Sequence, residues 1–206
     1  MTAARPELPK EFVAGHKRRR MMEAIAELSA EKGYEATKIA DVVRRAGVAR
    51  KTLYDNFDGK EKLFLSALDE SIAEMKSMVA KACEQEESWE RSVEAGIEAL
   101  LRFIGERPAA ARMCFVESIS ATPASTRRYD AAVQDFVAIL ARDAPRHGHL
   151  PETIEESLVG GVAWILQQQM RRESAPQATE LLPELCKFVL SPYRGVSNAG
   201  EVGRRK

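Results

Sequence analysis

No uninterrupted apolar run in this sequence reaches the ~18 residues that would suggest a membrane span. The opening MTAARPELPKEF lacks the apolar stretch of a signal peptide. A cytoplasmic location without membrane partners is therefore expected. Cysteine is scarce: Cys83, Cys114 and Cys186 are odd in number and widely spaced, with no CxxC pair and no histidine at metal-ligand spacing. Neither a disulfide framework nor a metal site is expected, and settings such as MCFVE and ELCKF read as small buried hydrophobes. Strand signals are almost missing, because no Val/Ile/Thr-rich run alternates apolar and polar residues. A nucleophile–base pair, a metal cluster and a Gly-rich phosphate loop are also missing, and His16, His147 and His149 have no spaced partners. The expectation is a protein that is not an enzyme and carries no cofactor.

What is present is helical periodicity along nearly the whole chain, punctuated by Pro and Gly. The composition, 45% hydrophobic and 30% charged, is that of a globular protein and supplies enough apolar residues for a sizeable core. A first helix is expected from about Lys17 to Lys32, ended by Gly33, and a second after Thr37 as N-cap, stopping at Gly47. A short third runs from about Ala49 to Asn56. Asp58-Gly-Lys-Glu61 has the form of a capping box and should open a long fourth helix, broken at the acidic stretch 84–88. A fifth ends at Gly105, a sixth has Pro108 at its first position and runs to about Ser120, and Thr122-Pro123 opens a seventh. After the loop 145–151 an eighth helix runs to about Arg172. A ninth follows Pro176, with Pro183 in or near its first turn. The fold expected is all-α, about nine helices: an N-terminal three-helix helix-turn-helix domain (residues 1–60), a C-terminal helical bundle (61–196) and a disordered tail (197–206).

The second and third helices, joined by Ala46-Gly47-Val48, have helix-turn-helix spacing. Gly47 supplies positive φ and Ala46 allows close helix approach. Val48, Leu53 and Phe57 should face the core, leaving Arg50, Lys51, Thr52, Tyr54 and Asp55 outward. A short helix with a cationic, hydroxylic and aromatic outer side suits a DNA major groove. Charge distribution agrees: residues 1–62 hold 14 Lys and Arg against 10 Asp and Glu, whereas residues 63–206 hold 17 against 21. The run His16-Lys-Arg-Arg-Arg20 places cations near a helix N-terminus, where they oppose the helix dipole. Either DNA phosphate compensates them or the run is a solvated charged face.

These residues carry a resemblance. Gly33-Tyr34-x-x-Thr37, Ile39-Ala40-Asp41-Val42-Val43, Ala46-Gly47-Val48 and Thr52-Leu53-Tyr54-x-x-Phe57-x-x-Lys60-Glu61-x-Leu63-Phe64 together resemble the signature of the TetR family of transcriptional regulators. The resemblance implies a homodimer that binds double-stranded DNA at a palindromic operator, as a repressor, and responds to a small-molecule effector. It implies that Thr37 presents its amide and hydroxyl to a phosphate, and that Arg50, Lys51 and Thr52 approach base edges. Tyr54 and Lys60 would contact the phosphate backbone. Many family members carry Ser or Thr where this chain has Ala49, so a side-chain contact is missing there. The alternative is a helix-turn-helix regulator controlled by a protein partner or by its own concentration, with no small ligand.

Beyond about Ser66 the resemblance is one of helix count and length. It implies a ligand enclosed by helices four to seven and dimerisation through the last two. Gly160-Gly161 allows close helix approach, and the apolar residues Trp164, Leu166, Met170, Leu181, Leu185 and Phe188 are the expected dimer interface, with ordinary core as the bland alternative. For the pocket the candidates are the large, adaptable Met78, Trp89, Phe103, Met113, Phe115, Phe136 and Trp164. Glu117 is added because a carboxylate within the apolar CFVESI must be paired, exposed or functional.

Overall fold

A computed structural model describes residues 10–146, 148, 150–172 and 178–194. Among them are nine α-helices and no strand: α1 (Lys10–Lys32), α2 (Ile39–Ala46), α3 (Arg50–Asn56), α4 (Lys60–Cys83), α5 (Trp89–Glu106), α6 (Pro108–Phe115), α7 (Pro123–Ala141), α8 (Ile154–Arg171) and α9 (Ala178–Arg194), with a 3-10 turn at Glu117–Ile119 between α6 and α7. None of these helices is long and apolar enough to cross a membrane. The tail expected to be disordered lies outside the described residues.

Local chemistry explains most boundaries. Gly47 ends α2 at φ +61°, and the amides of Gly47 and Val48 turn back to the carbonyls of Arg44 and Val43, closing the helix in a Schellman-like way. The Thr122 hydroxyl accepts from the Ser125 amide while Ser125 returns the bond to the Thr122 amide, a capping box with Pro123 in the first turn. The Ser88 hydroxyl accepts from the Arg91 amide and opens α5.

Several expected boundaries shift. Helix α1 starts at Lys10, so the basic run 16–20 sits beyond its first turn, outside the reach of the N-terminal dipole. The N-cap of α2 is Lys38, not Thr37, whose hydroxyl instead donates to the Gly33 carbonyl at 2.9 Å. Gly59 caps α4 without any side-chain bond, so the expected Asp58–Glu61 box does not form. Helix α6 stops at Phe115, and the remaining residues to Ile119 tighten into the 3-10 turn. In α9 both Pro183 and Pro192 lie inside the helix. Pro183 is well past the first turn and removes one backbone bond there.

Helices α1 to α3 fold around Met21, Ile25, Val42, Leu53 and Phe57. This core is continuous with that of the bundle, since α1 packs on α4 and α6. The bundle packs α4 on α5, α5 on α9 and α7 on α8, around Phe64, Leu68, Phe103, Met113 and Leu166.

Candidate functional site

The outer face of α3 carries the residues expected there. Leu53 and Phe57 are buried and Val48 is partly so, while Arg50, Lys51, Tyr54 and Asp55 are exposed and Thr52 is half-exposed. Tyr54 is 47% exposed, with the Arg50 guanidinium 5.7 Å above its ring and 3.4 Å from its hydroxyl. Lys51 makes no ion pair among the described residues. Ala49 occupies the N-cap of α3 and contributes no side-chain bond. The first-turn amides of this basic helix are thus uncapped at an exposed surface, an arrangement that suits an anion.

Two other expected contacts are engaged within the chain. Thr37 is 1% exposed, its amide donates to the Tyr34 carbonyl, and its hydroxyl is used as described. The Lys60 ammonium lies 4.0 Å over the Tyr34 ring and donates to the Tyr34 carbonyl at 3.0 Å. Lys60 therefore fastens the start of α4 to the loop before α2. The basic run of α1 is also divided. Arg18 reaches inward, 4.3 Å over the Phe57 ring and 3.4 Å from the Asn56 carbonyl. Arg20 lies against Gly47, where an added Cβ would come within 2.4 Å of its guanidinium. Arg19 pairs with Glu23, and Lys17 is exposed. Two of the four cations thus stitch α1 to the helix-turn-helix.

Ion pairs hold that unit together from outside. Asp41 accepts from Lys32 at 2.6 Å and from Arg44 at 2.7 Å, and these cations, Lys32 foremost, hold its carboxyl below the usual range. Arg45 bridges to Glu27 and Glu31, and lowers the Glu31 carboxyl in turn.

A cavity of about 340 Å³ opens inside the bundle, within the size range of small-molecule sites. Ile72, Met75 and Val79 of α4, Val93 and Ile97 of α5, Cys114 and Phe115 of α6, Val133 and Phe136 of α7, and Val162 and Leu166 of α8 form its walls. Of the expected pocket residues, Trp89, Phe115 and Phe136 line it. Phe103 and Met113 are fully buried in the core, Met78 packs beside that core, and Trp164 is 61% exposed on the outside of α8. Large side chains in amphipathic helices fill core and cavity alike, so periodicity could not separate the two. The residues that sequence reasoning missed are mostly small or aliphatic, and Tyr129 is among them. Of the three cysteines expected to be buried, only Cys114 is, while Cys83 and Cys186 are half-buried; burial pushes the Cys114 thiol up to about 12 and raises the other two, so all three stay protonated at neutral pH.

Glu117 is placed elsewhere. Its carboxylate accepts from the Tyr34 amide at 3.0 Å, across 83 positions of sequence. The Tyr34 ring in turn packs on Phe64 at 4.7 Å. The end of α6, whose Phe115 lines the cavity, is thereby tied to the loop that leads into the helix-turn-helix.

A family model described as bacterial regulatory proteins, tetR family, matches residues 21–67. Over those residues the chain has the DNA-binding segment of that family. Solved structures extend the likeness over the bundle. The fatty acid degradation regulator FadR from Bacillus halodurans is 14% identical, with a TM-score of 0.74 over 84% of this chain and 97% of its own. FadR from Bacillus subtilis, in complex with stearoyl-CoA, is also 14% identical, with a TM-score of 0.75 and the same coverage. A TetR-like regulator from Rhodococcus sp. RHA1 is 15% identical, with a TM-score of 0.75 over 92% of this chain and 100% of its own. At such identities the likeness is one of fold. The matched segment contains the helix-turn-helix whose exposed cationic face has just been described.

Proposed function

We propose that this protein is a repressor that binds a palindromic operator as a homodimer and releases it when a small effector enters the bundle cavity. The observation that carries this reading is the double connection between cavity and DNA-binding unit. Residues 72–79 of α4 wall the cavity, and the same helix begins at Lys60, bonded to the Tyr34 carbonyl. Phe115 walls it too, two residues before Glu117 on the Tyr34 amide. An occupant that displaces either wall pulls on the backbone of Tyr34, at its carbonyl through α4 or at its amide through Glu117, just before the entrance to α2. In this reading residues 1–60 form the DNA-binding domain and 61–196 the effector and dimerisation domain.

Arg50, Lys51 and Thr52 would approach base edges, with an arginine or lysine pairing best with guanine, and Tyr54 would bind phosphate. Thr37 and Lys60 would act indirectly, by fixing the loop between α1 and α2. The exposed Trp164 and Phe188, with the half-buried Met170 and Leu181, are the proposed twofold contact. Leu166 and Leu185, at 2% and 1% exposed, already belong to the protomer's own core, and so leave the interface set. Two recognition helices are needed because one short helix reads few bases. A twofold dimer sets them about 34–36 Å apart, in successive major grooves.

Filling the cavity by mutation tests the mechanism without an effector. Ala132 lies in the cavity wall on α7, remote in sequence from the helix-turn-helix. Ala132→Phe should mimic occupancy and weaken binding to an operator selected from random duplex DNA by at least tenfold, with a cooperative thermal transition retained. Unchanged operator affinity in a folded Ala132→Phe protein overturns the effector mechanism.

A further inference from the structure

We propose that the cavity accepts a mainly apolar ligand bearing no negative charge, either uncharged or cationic, whose polar group meets the Tyr129 hydroxyl, and that it excludes anionic amphiphiles such as fatty-acyl thioesters of coenzyme A. This specifies the ligand class and rests on the reading of the cavity as the effector site.

The polar groups of the wall decide the chemistry. The Ser92 hydroxyl donates to the Cys83 carbonyl at 3.0 Å, and the Cys83 thiol donates to the Ser92 carbonyl at 3.3 Å. The Trp89 indole donates to the Leu140 carbonyl at 3.0 Å. All three are satisfied by the protein and offer little to a guest. Tyr129 is different: it lines the cavity, is half-buried, and its hydroxyl has no protein partner among the described residues. Burial raises its ionisation above the ordinary value, so it meets a ligand as a neutral hydroxyl able to donate or accept. One such group in an apolar wall orients a guest that has a single polar end.

Charge is confined to the mouth, where the loop after α4 meets the end of α7. The charged residues there are Glu84, Glu86, Asp143 and Arg142. They are three carboxylates and one guanidinium, and the guanidinium lies 3.7 Å from Glu84. No other Lys or Arg among the described residues lines the cavity. A carboxylate or phosphate entering here would lose water without gaining an unpaired cation, and would pass acidic groups on the way. An ammonium can remain paired with Glu86 and Asp143 at the mouth, and an alcohol carries no charge to desolvate. The several phosphates of a coenzyme A moiety would need a cationic surface at this mouth, and an acidic one stands in its place.

Four probes sharing one ten-carbon chain test this on the full-length protein by isothermal titration calorimetry: 1-decanol, decyltrimethylammonium, decanoate and decanoyl-CoA. The first two should bind, each at least tenfold more tightly than decanoate or decanoyl-CoA. Tyr129→Phe should weaken decanol about fivefold, the effect of one neutral hydrogen bond. A Glu86→Gln, Asp143→Asn double variant should lose any preference for the ammonium over decanol and narrow the gap to decanoate. Decanoate or decanoyl-CoA binding as tightly as decanol overturns the proposal, as does binding of none of the probes. If the charge order holds but saturating decanol leaves operator affinity unchanged, the ligand class stands and the effector reading fails.

Discussion

Replacing Trp164 and Phe188 together by glutamate should convert the protein to a monomer that loses its operator. On the isolated chain these side chains are 61% and 40% exposed. The Phe188 ring lies against Gly161, where an added Cβ would come within 2.7 Å of it, and Trp164 follows three residues later on the same helix α8. An aromatic side chain covers about 150–250 Å², so the exposed parts offer roughly 220 Å² per protomer. At about 25 cal/mol per Å², two protomers would gain about 11 kcal/mol if both patches were fully covered. Coverage of half that surface leaves about 5 kcal/mol, which is between three and four orders of magnitude in dissociation constant. Glutamates facing each other across a twofold axis add repulsion. A dimer with nanomolar dissociation would therefore come apart at micromolar concentration, as read by sedimentation equilibrium. The operator's two half-sites would then be bound independently, with a large loss of affinity for the full palindrome and little for one half-site. Helicity and the thermal transition should persist, because neither side chain is buried in the protomer. A double variant that stays dimeric at micromolar concentration would refute the assignment of this face. So would a monomeric one that binds the full palindrome as the wild type does.

Further outcomes are expected on the DNA-binding unit. Tyr54→Phe keeps the ring but removes the hydroxyl, and should weaken cognate and scrambled duplexes alike by about 1–3 kcal/mol in a fluorescence anisotropy titration. Loss limited to the cognate site would make Tyr54 a base reader. Lys51→Ala should weaken the cognate duplex by about 1–3 kcal/mol and a scrambled one much less, because Lys51 approaches a base edge. Equal losses on both duplexes would make Lys51 a phosphate contact instead. Glu117→Ala removes the acceptor of the Tyr34 amide, so stability in urea should fall by about 1.5–3 kcal/mol. The weakening of operator binding caused by Ala132→Phe should shrink in the same background, and purely additive effects would exclude this route. The Asp41 carboxyl is depressed by Lys32 and Arg44. Its contribution to stability is therefore present above the ordinary aspartate pKa and lost as pH falls through the lower folded value. Asp41→Asn should destabilise at pH 7 and make no difference in strong acid, and an equal effect at both pH values would show that the charge is not the cause.

The helix-turn-helix was legible because its determinants are local. Gly47 must take positive φ, Leu53 and Phe57 follow from helical spacing, and Arg50, Lys51 and Tyr54 fall outward by the same spacing. The number of helices and several of their ends were legible for the same reason: Thr122 with Pro123, and Gly47, act on backbone within a few residues. Where such signals misled, a nearby alternative partner won. Thr37 had the right type to cap α2 but bonds the Gly33 carbonyl instead.

What periodicity cannot specify is the surface that an apolar face meets. Leu185 and Phe188 are three residues apart on one helix and look equivalent in sequence, yet α5 covers the α9 face that holds Leu185 and leaves Phe188 on the outside. The same limit separated Phe115, in the cavity wall, from Phe103, in the solid core. Long-range pairing was equally hidden. That Glu117 had to be paired or exposed followed from its apolar neighbours, but its partner is the Tyr34 amide, brought to it by the packing of α1 against α6. Arg18 and Arg20 belong to a run that sequence left as either DNA-facing or solvated, and only the fold puts the Phe57 ring and Gly47 within their reach. The sequence by itself determined the number of helices, the breaks at Gly47 and at Thr122-Pro123 and the recognition face, because backbone hydrogen bonds and side-chain spacing act over a few residues. Only the tertiary structure decided cavity, coupling and exposed seam, because these depend on which helices exclude water from which faces.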